Sequence, residues 1–221
     1  MGSPEREATS RRERERERHR LEILEAAERV FVREGYHAAT VEKIAKEAEF
    51  AVGTLYNFFD SKEEMYGEVV AKIARDFMED FERDVLTKQD PDEAIGALIE
   101  LRLTHFEEHR GFVRVFFETS PGSRLDPARA LPPDCAGLYD SYIDTVSKLF
   151  DRGIRNGSFE EMDPLYLTLF LEGIVNAFVA YWSRREPSEP LAVRVQKMRD
   201  AFLGRIRLKD PGQEPSAGRK E

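Results

Sequence analysis

The segment TVEKIAKEAEFAVGTLYNFFDSK, from Thr40 to Lys62, holds residues suited to recognition rather than to bond-making. It reads as a short helix, a tight turn, a second short helix and the cap of a third. The second short helix carries almost no charge and presents small and polar groups, which suits an element lying in a DNA groove against base edges. Leu55 and Phe59 share a side and are expected to pack inward. Val52, Gly53, Thr54, Tyr56 and Asn57 are left to face outward. Gly53 costs roughly 1 kcal/mol inside a helix against Ala, and close approach of the backbone to a partner surface is one compensation.

Other groupings carry weaker chemistry. His105 to His109, HFEEH, matches the H-x-x-E-H pattern of inverted zinc peptidases, and two His at i, i+4 on a helix can chelate zinc. A third ligand and a cleft have no visible source. Leu98 and Leu101 lead His105 toward the core side, so a packed or ligand-facing His105 is preferred; no metal and no cofactor are expected. Thr168, Glu172 and Asn176 form an i, i+4, i+8 polar stripe on an otherwise apolar helix. Buried polar groups need partners, which a ligand, another side chain or a second subunit could supply. Phe81, Phe106, Phe112, Phe116, Phe117 and Tyr142 could line an apolar cavity or be plain core. The single Cys135 forms no intramolecular disulfide, and no second Cys supports it as a redox sensor. No glycine-rich phosphate loop and no serine nucleophile elbow appear, so no enzyme is expected.

The elements that must position these residues read as all-α, with about nine helices. Thr40 can cap the first short helix, whose Val41, Ile44, Ala45 and Ala48 make one apolar face. That helix spans 41–48 and the next about 51–58. Ser61, with Glu64 three residues on, is a capping box for a helix over about 62–86. Gly35 is a C-terminal cap for the first helix. Residues 120–134 read as a proline-rich loop. The expected divisions are a disordered arm over 1–10, a helix-turn-helix domain over 11–62, a helical ligand-binding and dimerisation domain over 63–208, and a disordered tail over 209–221. Arg11 to Arg20 alternates Arg and Glu, either as a solvated helix extension or as an arm that places Arg on phosphates or in a minor groove. Leu191, Val195, Met198, Phe202 and Ile206 form a continuous apolar stripe on the last helix. The helix before it is apolar nearly all round and needs cover on more than one side.

Here the residues reach a family. Ile23 to Tyr66 closely resembles the N-terminal domain of the TetR family of transcriptional regulators. The matching residues are the ILEAAERVF run, Gly35, Thr40, Ile44, Ala45, Ala48, Gly53, Thr54, Leu55, Tyr56, Phe59, Ser61 and Lys62. The motif covers about a fifth of the chain, and the remainder is similar in architecture alone. The resemblance implies a homodimer that binds a near-palindromic double-stranded DNA operator and is released by a small-molecule effector. Thr40, Tyr56 and Lys62 are expected on phosphates, and Val52, Gly53, Thr54 and Asn57 near bases. Phe81, His105, Phe112, Phe116, Tyr142, Glu172 and Asn176 are the candidate effector contacts. Drug-like, aromatic or fatty-acyl molecules would all fit. Phe178, Trp182, Leu191, Val195, Met198, Phe202 and Ile206 are the candidate dimer interface, since the family's last two long helices form a four-helix bundle across a two-fold axis. Three positions depart from the pattern: Glu49 stands where the family usually has Gly, Phe50 where it has a small β-branched residue, and Phe58 where it has His or Tyr. A dimeric small-molecule-binding protein with a degenerate head is therefore the alternative.

Charge is consistent with that division. The chain of 221 residues has a net charge of −9. Residues 1–62 hold 12 Lys and Arg against 13 Asp and Glu, whereas 63–221 hold 22 against 30, so the acidity lies mostly beyond the head. Residues 6–20 hold seven Arg and four acids. DNA affinity depends on such local positive charge near phosphates. The charged first 20 residues do not read as a signal peptide. Leu165 to Trp182 is apolar but includes Thr168, Glu172 and Asn176, so a buried helix is expected rather than a membrane span, in a cytoplasmic protein.

Overall fold

A computed structural model of the chain describes residues 4–124 and 131–208. Among them nine α-helices account for nearly all regular structure: α1 (Pro4–Glu34), α2 (Val41–Glu47), α3 (Val52–Leu55), α4 (Lys62–Asp80), α5 (Pro91–Glu108), α6 (Arg110–Thr119), α7 (Ala136–Arg155), α8 (Pro164–Trp182) and α9 (Leu191–Ile206). A π-turn over Phe81–Val85 extends α4, and an isolated antiparallel bridge joins Phe159 to Arg207. The all-α expectation holds. The arm expected to be disordered over 1–10 is helical from Pro4 onward, because α1 runs unbroken through it. Residues 1–3 and the tail over 209–221 lie outside the described residues, as does the middle of the proline-rich loop, which has short 3-10 turns at Pro121–Arg124 and Pro133–Cys135.

The chain forms two compact units. The first comprises Met1–Glu79, Glu108–Asp140 and Ala180–Glu186; the second comprises Asp80–Glu107, Ser141–Val179 and Pro187–Glu221. Packing rather than the motif boundary at Lys62 sets this division. Met65 and Val69 of α4 and Phe112 and Val115 of α6 are buried in the same core as Ile23, Phe31, Ile44 and Leu55. The chain turns out of α1 at Gly35, whose φ of 78° is costly for any residue with a Cβ and whose N–H donates to the Phe31 carbonyl at 2.9 Å.

The second unit is built around Phe150, whose ring lies 5.9 Å from that of Phe159 and 6.0 Å from that of Phe202. A Cβ on Gly153 would stand 2.2 Å from the Phe159 ring, so only glycine lets the bridge segment close on α7. Along α8 burial alternates in pairs. Leu167, Thr168, Leu171, Glu172 and Val175 face inward, while Tyr166, Phe170, Ile174 and Phe178 are 39–58% exposed. By length and composition α8 could cross a membrane, yet its inward face carries Thr168 and Glu172, both bonded within the unit.

Candidate nucleic-acid interface

Thr40 caps α2 as its sequence predicts, its Oγ1 accepting from the Lys43 N–H at 3.4 Å. At the other end α2 stops at Ala48, and Glu49 takes φ 61°, the left-handed region that glycine occupies most cheaply. The Glu49 N–H donates to the Lys46 carbonyl (3.3 Å) and the Phe50 N–H to the Ala45 carbonyl (3.0 Å). These are the two bonds of a Schellman C-cap. The turn is therefore wound in the conformation a glycine would give, at the cost of holding a Cβ there. The turn is strained at Glu49 rather than wound in another way.

α3 is shorter than its sequence predicts. It is α-helical over Val52–Leu55, and the chain then tightens, with N–H groups of Asn57 and Phe58 donating to residues three back, Thr54 and Leu55. Leu55 and Phe59 are buried as expected. Gly53, Tyr56 and Asn57 are exposed, and Val52 and Thr54 half-buried. A Cβ built on Gly53 meets nothing within 4 Å, so nothing inside the protein requires glycine there. The next helix starts on Ser61, whose Oγ accepts from the Glu64 N–H at 3.1 Å. The Glu64 carboxylate reaches back to the Asp60 N–H, one residue before the cap, so the capping box is displaced by one position.

Lys62 is placed differently from expectation. Its Nζ donates to the carbonyls of Tyr36 and Ala39, each at 3.0 Å, and lies 4.6 Å from the Tyr36 ring centroid. Two of its three donors thus clamp the 36–39 loop to the start of α4, which leaves one for a phosphate. The Tyr36 hydroxyl donates to Glu63 at 3.1 Å; burial and that carboxylate push it up to about 12, so it remains a donor. Sequence reasoning missed the role of α1 here. Arg16 Nη2 donates to the Asn57 carbonyl at 3.3 Å, and its guanidinium lies 5.4 Å from the Phe58 ring. Arg20 lies 5.3 Å from the Phe59 ring and pairs with Glu68 at 2.7 Å. The Arg repeat was the available signal, but nothing local said which face of it meets α3.

In the second unit the expected polar stripe finds its partners within the chain. Arg102 Nη1 donates to Glu172 (2.7 Å) and Nη2 to the Asn176 side-chain oxygen (2.7 Å), while the Tyr142 hydroxyl donates to the other Glu172 oxygen at 2.6 Å. Thr168 meets Ser147 at 3.0 Å. Burial, and then the Glu172 charge, raise the Tyr142 hydroxyl well above its ordinary value, so it stays protonated and donates. Phe81 packs edge-on to Tyr142 at 5.2 Å. His105 Nε2 lies 2.7 Å from Asp80, and that bond holds the Asp80 carboxyl low. In the first unit His109 Nδ1 lies 2.8 Å from Glu28.

Some assignments need correction. Phe112 belongs to the core of the first unit, 5.5 Å from the Tyr66 ring, and Phe116 packs against that same core, so neither stands with Glu172 in the second unit's polar cluster. Val195, Met198, Phe202 and Ile206 are buried in the single chain, with the Phe202 ring against Phe150. Trp182 and Leu191 are half-buried. Of the proposed dimer residues Phe178 alone stands exposed, on the open face of α8.

Residues 23–69 match the bacterial regulatory proteins of the tetR family. The chain is 25% identical over 169 residues to the uncharacterised HTH-type transcriptional regulator YhgD of Bacillus subtilis, across 75% of this chain and 84% of that one. It is 26% identical over 163 residues to the fatty acid metabolism regulator protein of Bacillus subtilis, across 73% and 82%. Its fold is that of the transcriptional regulator FadR from Bacillus subtilis, solved in complex with stearoyl-CoA, with a TM-score of 0.66 and 21% identity over 83% of this chain and 97% of that one. The head over residues 23–69 is thus similar to that of the tetR family, and the helical fold is the one these regulators share.

Proposed function

We propose that the protein is a ligand-responsive repressor that binds a near-palindromic operator as a homodimer. The observation that carries this reading is the outer face of α3 and of the tight turn that follows it. Gly53, Tyr56 and Asn57 stand exposed on it, and the space over Gly53 is open. That space admits close approach of a DNA backbone or base edge. Asn57 suits a bidentate contact to adenine, and the methyl groups of Val52 and Thr54 suit thymine. Tyr56, the Thr40 hydroxyl and the remaining Lys62 donor suit phosphates. The complete C-cap at Glu49 argues against a head that has lost its turn.

The open face of α8 supports the dimer. Contiguous exposed aromatic and aliphatic side chains of this kind mark interaction surfaces. A two-fold dimer places two α3 elements in successive major grooves about 34 Å apart. The effector is an apolar or amphipathic molecule, and fatty-acyl thioesters are the first class to try, given what similar regulators are named for. An anionic effector reaching Arg102 would have to displace Glu172 from it, and that exchange would give the ligand differential affinity for two states of the unit.

Selection of bound fragments from a genomic library, with Tyr56→Ala alongside, tests the reading. A short near-palindrome enriched by the unmutated protein alone is expected. No enrichment from folded, dimeric, ligand-stripped protein would sink it.

A further inference from the structure

We propose that the N-terminal part of α1 is a second DNA contact, in which Arg11, Arg12 and Arg14 hold phosphates of the duplex flanking the base pairs under α3. This rests on the reading of the head as a DNA binder and adds a contact that the helix-turn-helix itself does not make.

The first argument is charge. Residues 21–62, which hold the whole helix-turn-helix, carry five Lys and Arg against eight Asp and Glu, a net −3. Four of those five cations are already bonded inside the protein. Arg29 and Arg33 share Glu47, Lys43 holds Glu34, and Lys62 holds two carbonyls. Affinity for duplex DNA comes largely from cations placed on phosphates. The helix-turn-helix therefore has few to offer. Residues 11–20 hold six Arg against three Glu, a net +3. Arg11, Arg12 and Arg14 are exposed and make no bond among the described residues, and Arg18 has a single exposed pair with Glu22 at 3.5 Å.

The second argument is placement. α1 is one helix from Pro4 to Glu34, and its buried face begins at Ile23. The stretch before Ile23 is fixed to the reading element at both ends of α3. His19 packs edge-on to Phe50 at 5.1 Å, and Arg16 bonds the Asn57 carbonyl. Arg12, Arg16 and Arg20 recur every four residues and so share a face. The inner two lie on the Phe58 and Phe59 rings. Arg12 continues that stripe roughly 6 Å further along the axis, beyond the end of α3. A guanidinium there suits a phosphate fork rather than a base edge.

The test uses full-length protein and its Arg11→Gln/Arg12→Gln/Arg14→Gln variant, which keeps three good helix formers at exposed positions. Three duplexes are titrated across a salt series: the selected fragment with about one further turn, ~10 bp, on each side, the same fragment cut back to its palindrome, and a random-sequence duplex. On the flanked and random duplexes the variant is expected to bind about tenfold or more weakly at low salt, with a salt slope shallower by roughly two to three per protomer. On the trimmed fragment the two proteins should converge. Equal slopes and affinities on all three duplexes would overturn the inference while leaving operator reading intact. Unmutated protein that binds none of them would overturn both.

Discussion

On α3 and the turn after it, the side chains of Thr54, Tyr56 and Asn57 make no hydrogen bond to any described residue, and a missing Cβ at Gly53 leaves open space. In the second unit, Glu172 is almost wholly buried, and both its oxygens are bonded, to Arg102 and to Tyr142. The first surface holds its polar groups in water, where they cost nothing until a partner arrives. The second has taken a charge out of water and must keep its counter-ion. A substitution on α3 should therefore move binding and leave folding nearly untouched, whereas a substitution in the Arg102 cluster should do the reverse.

The sharpest way to break this contrast is Arg102→Ala. It leaves the Glu172 carboxylate buried without its cation, and losing one partner of such a pair costs about 3 kcal/mol or more. Urea denaturation should show that loss. The double change Arg102→Met/Glu172→Leu should restore part of it, because two apolar groups need no counter-ion, the rest being lost with the acceptor of the buried Tyr142 hydroxyl. A single variant as stable as the parent would mean that Glu172 is neutral or reached by water. At the other pole stands Gly53→Ala. It should raise stability by up to about 1 kcal/mol, since alanine is the better helix former and nothing is in its way. Affinity for the selected fragment should fall roughly tenfold, about 1.4 kcal/mol. If affinity holds while stability rises, the backbone at Gly53 does not approach DNA.

Periodicity carried the local architecture well and the partnerships poorly, and the reason is the range of the interactions. Leu55, Phe59, the Thr40 cap and the strained Glu49 turn all depend on residues within a few positions of each other. Glu172 is polar on an apolar helix, which marks it as needing a partner, but the partner lies 70 residues earlier in Arg102. The α9 stripe is legible as buried, yet an apolar face reads alike whether it meets its own unit or another subunit. α8 is apolar on both faces, so its hydrophobic pattern could not say which face is inside. Thr168 and Glu172 mark the inner one, because their hydrogen bonds are made there. Phe112 went to the wrong neighbourhood because α6 returns to the first core after α5 has left it.

Lys62 refines the contrast, since it belongs to the head but is bonded like a core group. Lys62→Met removes two charge-assisted bonds to carbonyls and should cost about 2 kcal/mol of stability. Its effect on the salt slope of DNA binding should stay at or below about one phosphate per protomer. A large slope change with unchanged stability would return Lys62 to the role of a phosphate contact. Glu49→Gly is smaller and opposite in sign. Releasing a Cβ from φ 61° should stabilise the protein by about 1 kcal/mol or less, part of the gain being offset by the freer unfolded chain. Thermal denaturation at fixed protein concentration reads this directly, and a destabilised variant would mean that the Glu49 side chain is itself holding the turn.

The smallest effect concerns His109 of the first unit, which sits between the two extremes. Its imidazole, 2.8 Å from Glu28, is partly buried, and the hydrogen bond to that carboxylate raises its pKa, with the Glu28 charge adding to the shift and burial opposing it. A raised folded pKa means that the protonated form is bound more tightly in the native state. The contribution is fully present below the unfolded value of about 6.5 and is lost as pH rises through the higher folded value. Because the pair is not fully enclosed, the amount should be below about 1 kcal/mol. The difference in urea stability between the parent protein and His109→Gln, followed from about pH 5.5 to 8.5, reads this contribution. That difference should shrink with rising pH. If it stays constant or grows, the Glu28 contact is not holding a proton on His109, and the ring is serving there as a neutral packing element.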